Sequence, residues 1–134
     1  VNSNGKGPGH FHLASSTEIT VSVLNQIGMA SIEDSWFLSA KQGRDDDLKE
    51  LVSKIKDPNI SDHLGNTALH YSAHGAHTEC VKILIAAKAK VNQQNHLGET
   101  ALHKASFRGA EGAVKELIAA GADLNIKNKE GQTA

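Results

Sequence analysis

The stretch Asp62-His-Leu-Gly-Asn-Thr-Ala-Leu-His70 recurs further along the chain as Asn95-His-Leu-Gly-Glu-Thr-Ala-Leu-His103. A third occurrence begins after the same interval, at Asn128-Lys-Glu-Gly-Gln-Thr-Ala134. Residues 62–94 and 95–127 are identical at 15 of 33 aligned positions without a gap. A fixed period of this length is typical of repeat proteins, in which each unit packs only against its neighbours.

The residues of each unit predict two short helices. Thr67 and Thr100 stand where a helix N-cap is needed, because a hydroxyl there accepts a hydrogen bond from an orphan backbone N–H. Gly109 and Gly121 fall where the turns after the first and second helix are expected. The second helix carries one apolar stripe at i, i+3 and i+4, formed by Val81, Leu84 and Ile85 and again by Val114, Leu117 and Ile118. Neither helix buries its apolar side alone, so we expect successive units to stack into one core.

Some positions depart from this pattern. Lys88 stands where the next unit has Gly121, so it requires either a left-handed backbone or a shifted turn. Gly112 lies inside a second helix, where glycine costs about 1 kcal/mol relative to Ala. The period runs backwards over residues 29–61, where Asp34-Ser-Trp-Phe37 replaces Thr-Ala-Leu-His. In this divergent first unit we expect Asp34 to cap the helix and the histidine link to the next unit to be missing.

The pattern D-x-x-G-x-T-A-L-H, followed by V-K-x-L-I-A-A-x-A and a closing Asn, resembles the ankyrin repeat, which has the same period. The resemblance covers residues 29–134, as repeats 29–61, 62–94 and 95–127 and a partial repeat 128–134. It implies a mainly α fold, a solenoid of helix-turn-helix units joined by β-hairpin loops. Structural roles follow for the Thr, His and turn glycines of the motif, which are Thr67, His70, Gly65, Thr100, His103, Gly98, Gly109 and Gly121.

The resemblance also implies a function. In ankyrin stacks the hairpin tips and the exposed side of the first helix line a concave face, and such a face makes this chain a scaffold or adaptor for a partner protein. The positions that map there are His63, Leu64, Asn66, Tyr71, His74, His96, Leu97, Glu99, Lys104, Phe107 and Arg108, with Lys41 and Gln42 from the first repeat. Tyr, Phe and Arg are enriched in binding hot spots, which favours Tyr71, Phe107 and Arg108. For Leu64 and Leu97 the alternative is packing into neighbouring units.

A second hypothesis is that the repeats are the regulatory segment of a larger enzyme, channel or transcription regulator. The chain begins at Val1 rather than Met and ends at Ala134 inside a repeat. We therefore expect a fragment, or foreign sequence at its front. Residues 1–28 lie outside the period and are interpreted as a flexible N-terminal extension, or as a vector-derived segment preceding an initiator at Met29.

Several side chains invite a chemical interpretation. His70, His74 and His77, with Cys80 shortly after them, are residue types that bind zinc. The helix break expected near Ala76 separates them, so we predict no metal site and no cofactor. Asp45, Asp46 and Asp47 fit the first turn of a second helix, where the helix dipole favours negative charge. No Ser/His/Asp set or carboxylate pair recurs at a catalytic spacing, so we predict that the chain is not an enzyme.

Charge and composition narrow the choice of partner. The 14 basic and 15 acidic residues give a formal net charge of −1, which provides no electrostatic footprint for nucleic acid or an anionic membrane. No apolar run approaches the roughly 20 residues of a membrane-spanning helix. The single cysteine, Cys80, excludes an internal disulfide and favours a cytoplasmic or nuclear location. We expect the partner to be another protein, and the chain to be monomeric.

Overall fold

The computed structural model describes residues 31–134, so the predictions made for residues 1–28 and for Met29 lie outside the described residues. The described part is mainly helical, and its helices are α1 Ile32–Gln42, α2 Asp45–Val52, α3 Ala68–His74, α4 Thr78–Ala86, α5 Ala101–Arg108 and α6 Glu111–Ala119. Helices α3 and α5 begin one sequence period apart, as do α4 and α6. The predicted period of helix pairs is therefore confirmed in the backbone.

Capping boxes begin the first helix of the second and third repeats. The Thr67 hydroxyl accepts a hydrogen bond from the backbone N–H of His70, and Nδ1 of His70 accepts one from the N–H of Thr67 at 3.1 Å. Thr100 and His103 repeat the arrangement at 3.0 Å. Both threonines thus act as the N-caps that the sequence predicted, because each hydroxyl satisfies an orphan N–H of the first turn.

The first helix of the first repeat begins earlier than predicted. Ser31 is its N-cap, and the Ser31 hydroxyl accepts a hydrogen bond from the Asp34 N–H at 3.1 Å. The Asp34 carboxylate in turn accepts one from the Ser31 N–H at 3.5 Å. The prediction that Asp34 is the N-cap was wrong, because Ser31 and Asp34 together form a capping box that adds a turn to α1.

Two residues other than glycine, Ala76 and Lys88, have a left-handed backbone in the turns between helices. Ala76, between α3 and α4, has φ +58°, and Gly109 at the equivalent position has φ +69°. Lys88 has φ +72° where Gly121 has φ +95°. Of the two alternatives open for Lys88, the structure shows the left-handed backbone, which keeps the repeats in the same register.

The loops that join repeats are tight turns held by one carboxylate or amide each. The Asp62 Oδ1 accepts hydrogen bonds from the N–H groups of Leu64 and Asn66, both at 3.0 Å. Asn95 does the same in the next loop. The His96 N–H donates to the Leu64 carbonyl at 3.1 Å and links the two loops. Residues 31–134 contain no strand, so the β-hairpin character expected of these loops is not confirmed.

The helices form two layers around one core. Helices α1, α3 and α5 pack successively against each other, and α2, α4 and α6 do so alongside them. The largest buried apolar side chains come from both layers, and they are Trp36, Leu48, Leu51, Leu69, Val81, Leu84, Leu102 and Leu117. Because the helices of each layer stack in succession, the outer sides of α3 and α5 form a continuous surface.

No helix within residues 31–134 is long and apolar enough to cross a membrane.

Candidate partner-binding face

The surface formed by the outer sides of α3 and α5 and by the loops 62–66 and 95–99 is here called the first-helix face. Seven of the residues predicted to contact a partner are exposed on it: His63, Leu64, His74, His96, Leu97, Phe107 and Arg108. Phe107 is 86% exposed, while Leu64 and Leu97 are 52% and 63% exposed. More than half of each leucine is therefore exposed, so neither side chain is buried in a neighbouring repeat.

Asn66 does not belong to the exposed surface. Its side chain is buried, and its Oδ1 accepts a hydrogen bond from the Asn95 Nδ2 at 2.8 Å. The assignment of Asn66 to partner contact is corrected by this burial. A buried amide must find its hydrogen bonds inside the protein, and the Asn66–Asn95 bond instead ties the second repeat to the third.

Tyr71 is half-buried and held on three sides. Its hydroxyl donates to the Asp62 carboxylate. The Phe37 ring meets the Tyr71 ring edge to face, with 6.1 Å between centroids and 80° between planes. The Lys41 ammonium lies 4.7 Å from the ring centroid on the open side, at a distance where a cation is attracted to the aromatic face. Burial and the hydrogen bond to Asp62 both raise the pKa of Tyr71. Tyr71 is thus held in place by its neighbours.

Glu99 and Lys104 form a salt bridge. The Lys104 ammonium lies 2.9 Å from a Glu99 carboxylate oxygen, and both side chains are about one quarter exposed. The same carboxylate oxygen accepts a hydrogen bond from the Asn95 amide at 3.1 Å. Burial opposes ionisation of Glu99, but the hydrogen bonds from Lys104 and Asn95 prevail and lower its pKa. This salt bridge connects α5 to the loop that precedes it.

The two motif histidines connect repeats. Nδ1 of His70 accepts from the Thr67 N–H, so in the neutral ring Nε2 carries the proton. This Nε2–H donates to the Glu99 carbonyl at 2.8 Å. His103 makes the equivalent bond to the Gln132 carbonyl at 2.9 Å. Both histidines are buried, and their bonds join each repeat to the one that follows it.

The turn glycines of the motif have the left-handed backbone that their structural role requires, with positive φ at Gly65, Gly98, Gly109 and Gly121. A Cβ on Gly65 would lie 2.8 Å from the backbone N of His96, which belongs to the next inter-repeat loop. Gly65 therefore permits the close approach of the two loops as well as the turn itself.

His77 is a connecting residue that the sequence reasoning missed. Its Nε2–H donates to the Lys41 carbonyl at 3.1 Å and so links the second repeat back to the first. In the first repeat Phe37 stands at the position of His70, and the forward histidine link expected to be missing there is replaced by this backward one. His77 has no histidine counterpart in the third repeat, where residue 110 is Ala110, so the repeat pattern gave no signal for it.

A groove of about 430 Å³ opens along the first-helix face. It lies between the end of α3, the exposed side of α5 and the last residues of the chain, and it is lined by His74, Glu99, His103, Lys104, Ser106, Phe107, Asn128, Gln132, Thr133 and Ala134. A groove of this volume lies within the range of sites that hold a small ligand or a few side chains. Phe107 forms an exposed apolar wall beside two basic groups.

The cysteine and the aspartates considered above for other chemistry lie in helices of the second layer. Cys80 is 1% exposed in α4, and burial, with the negative charges of Asp45 and Glu79, raises the pKa of its thiol to about 11. Asp45, Asp46 and Asp47 occupy the first turn of α2. Across the described residues, no three His, Cys, Asp or Glu side chains are arranged to hold a metal ion.

Comparison with known proteins agrees with this architecture. Residues 36–128 match the family described as ankyrin repeats, in three copies. The chain is similar to oxysterol-binding protein-related protein 1 of Rattus norvegicus and of Mus musculus. Each is 38% identical over 60 residues, which cover 43% of this chain and 6% of the relative. The similarity thus spans a small part of much longer proteins.

Proposed function

Because the chain belongs to the ankyrin-repeat family, whose repeats generally mediate protein–protein interaction, we propose that it is a scaffold or adaptor that binds a partner protein. The proposed site is the first-helix face, which corresponds to the concave face of ankyrin stacks. The mechanism is surface complementarity on a rigid stack, without turnover. The single observation that carries the proposal is Phe107, which is 86% exposed beside the exposed Arg108.

A large aromatic side chain left in water gains free energy when a partner covers it. Burying Phe107 against a partner contributes about 1.5–3 kcal/mol from area alone. Arginine and aromatic residues are also the residue types that dominate measured binding energy at interfaces. The rigid neighbours of Phe107 on this face lower the entropy lost on binding, because Tyr71 and Lys104 are already held by internal contacts.

The test is affinity capture with the full chain and with the double variant Phe107→Ala, Arg108→Ala. The matched control is Lys115→Ala, Ile118→Ala, which removes a cation and an exposed apolar side chain from α6 in the other layer. We expect a partner that the chain and the control retain and that the double variant loses. Purified partner then gives a direct Kd, and unchanged Kd for the double variant with an intact circular dichroism spectrum would contradict the site assignment.

The relatives support a second candidate function. The matched segment is 6% of each relative, so a segment similar to part of this chain does occur within a much larger protein. We propose as the alternative that the same face regulates an enzyme, channel or transcription regulator to which it is covalently joined. The sequence of the full-length gene product, and the effect of Phe107→Ala on that product's own activity, separate the two.

The proposed interaction takes place in the cytoplasm or the nucleus, and the proposed adaptor is a monomer. A buried free thiol such as Cys80 is compatible with reducing compartments, where disulfides are rare. Imaging of the tagged full-length protein tests the location, and sedimentation of the purified chain tests the monomeric state.

A further inference from the structure

We infer that the partner bound by the first-helix face contributes an α-helix, which lies in the groove against α5 in the way that α5 lies against α3. This inference rests on the proposed function, and it adds the form of the partner segment. It follows from the lining of the groove, from the exposure of Ser106 and from the contacts that the equivalents of Phe107 make.

The groove has a smaller counterpart one repeat earlier. A cavity of about 160 Å³ between α3 and α5 is lined by Asn66, His70, Tyr71, His74 and Lys104. The residues 33 positions after the first four of these line the groove of about 430 Å³, and they are Glu99, His103, Lys104 and Phe107. Helix α5 covers the smaller cavity, whereas no helix within residues 31–134 covers the groove. The groove therefore has the lining of a cleft between two successive first helices, and α5 provides one of them.

Ser106 stands where the two preceding first helices carry a small, fully buried residue. Ala40 in α1 and Ala73 in α3 are both 0% exposed, whereas Ser106 in α5 is exposed. Helix α3 packs against α1, and α5 packs against α3. How closely two helices approach depends on the side chains at their contact. Ser106 therefore gives α5 the same small contact position, and the position is buried in each repeat that another first helix follows.

Phe107 is the third of a set of equivalent residues, and the first two face the next repeat. Lys41 lies 4.7 Å from the ring centroid of Tyr71 in α3. His74 shares the smaller cavity with Lys104 of α5. In both cases the facing residue stands 30 positions later. A helix in the groove would therefore place a side chain over Phe107, and a Lys or Arg there would make a cation–π contact with the ring.

The first helices of the chain indicate the composition of a helix that fits the groove. Small or apolar side chains are buried at the same three positions in both, which are Ala68, Leu69 and Ser72 in α3 and Ala101, Leu102 and Ala105 in α5. We therefore expect Ala, Leu and Ala or Ser at i, i+1 and i+4 of the partner helix. The cation over Phe107 belongs at i+3, the position of Tyr71 and Lys104. The sequence of α5 itself meets all four conditions.

Three fluorescein-labelled peptides test the proposal with the full chain. The parent peptide has the sequence of residues 99–110, and a lactam bridge between its positions 103 and 107 holds it helical, because an isolated helix of this length is marginal in water. The other two peptides carry Ala105→Pro, which breaks a helix, or Lys104→Glu. By fluorescence anisotropy we expect the Ala105→Pro peptide to bind at least roughly tenfold more weakly than the parent peptide. The Lys104→Glu peptide should bind about fivefold more weakly.

Ser106→Leu in the chain separates close helix packing from general apolar contact. Leu adds apolar surface to the groove, so an occupant held by apolar contact alone would bind more tightly. A helix that approaches α5 closely would be displaced, and we expect the parent peptide to bind at least about tenfold more weakly. Ser106→Ala, which matches Ala40 and Ala73, should leave binding within about twofold. The matched control is Ala119→Leu, at an exposed position of α6, which should also leave binding within about twofold.

Failure of the parent peptide to bind, or binding that Ser106→Leu leaves unchanged or strengthens, would overturn the proposal. Equal or tighter binding of the Ala105→Pro peptide would overturn it in favour of an extended segment. Concentration-dependent dimers that Ser106→Leu disperses would assign the groove to a second copy.

The full-length gene product without a partner provides a further test. There the thiol introduced by Ser106→Cys should react rapidly with iodoacetamide, since position 106 is exposed, whereas Cys80 is buried. Protection of the introduced thiol in that product would overturn the proposal by assigning the groove to residues of the same chain.

The outcome is separable from that of the proposed function. If a captured protein is lost with Phe107→Ala but retained at full affinity with Ser106→Leu, the first-helix face stands and the helical form of the partner is wrong. If no protein depends on Phe107 and the parent peptide does not bind, both proposals are wrong.

Discussion

A Cβ atom built on Gly112 lies 2.7 Å from Oγ1 of Thr78, the first residue of α4. Gly112 is in the interior of α6, and α4 and α6 are neighbours in the second layer. The absence of a side chain at residue 112 is therefore what lets the Thr78 side chain fit between the two helices.

Gly112→Ala should give no gain in stability, because overlap with Thr78 offsets the helix propensity of Ala, which is worth about 1 kcal/mol. In a Thr78→Ala background the nearest remaining atom of residue 78 is its Cβ, at 3.5 Å. There Gly112→Ala should stabilise by about 1 kcal/mol. A double-mutant cycle by urea unfolding measures this coupling, and equal effects in the two backgrounds would contradict it.

His70→Ala should lower the free energy of unfolding by about 2–4 kcal/mol, because it removes a buried ring, leaves the Thr67 N–H without its acceptor and removes one of the two hydrogen bonds that the Glu99 carbonyl accepts. His63→Ala, at an exposed loop tip, is the control and should stay within about 0.5 kcal/mol. Denaturation midpoints by circular dichroism make the comparison. Comparable losses for both variants would show that His70 has no special role in joining the repeats.

Stability should decrease as the pH falls below 6.5, the usual pKa of histidine. Burial lowers the pKa of His70 from that value, and protonation would also place a hydrogen on Nδ1 where the Thr67 N–H must donate. In the window below 6.5 the unfolded chain binds more protons than the folded one, so acid favours unfolding. The lowered pKa of His74 acts in the same direction.

Urea midpoints at a series of pH values measure this dependence. In His70→Ala the slope on the acid side of the usual histidine pKa should be shallower than in the parent chain. An identical slope in the variant would assign the effect to other groups. The lowered pKa values of Asp62 and Glu99 add a separate loss of stability at lower pH, where those carboxylates become protonated.

Ser72→Ala should leave stability unchanged or raise it by up to about 1–2 kcal/mol. The Ser72 hydroxyl is buried and lacks a hydrogen-bond partner within the described residues, which is costly for a polar group. Ala105 already occupies the equivalent position of the third repeat. Thr67→Ala, which removes a cap, should instead cost about 1 kcal/mol. Thermal unfolding of both variants tests the contrast, and destabilisation by Ser72→Ala would reveal a bond of its hydroxyl.

The Cys80 thiol should resist alkylation in the folded protein. It is 1% exposed, and its pKa of about 11 leaves little thiolate near neutral pH. Iodoacetamide labelling followed by mass spectrometry should show slow modification that becomes fast in urea. Rapid labelling of the folded chain would mean that α4 opens readily.

The sequence predicted those features that recur with the period of the repeat. The Thr67 and Thr100 caps, the helix pairs and the left-handed turns have local causes, because a hydroxyl, a backbone N–H and a glycine act within a few residues of each other. The exposure of Phe107 and Arg108 was also predictable, because the resemblance to ankyrin repeats places both residues on the open side of a first helix.

Only the tertiary structure showed the contacts between repeats that involve residues differing from one repeat to the next. Asn66 is buried because Asn95 of the next loop approaches it, and His77 reaches back to the Lys41 carbonyl. The fit of Gly112 against Thr78 has the same origin. A sequence period predicts contacts that recur in every repeat. Each of the contacts named here occurs once, because it depends on a particular pair of residues in two neighbouring repeats.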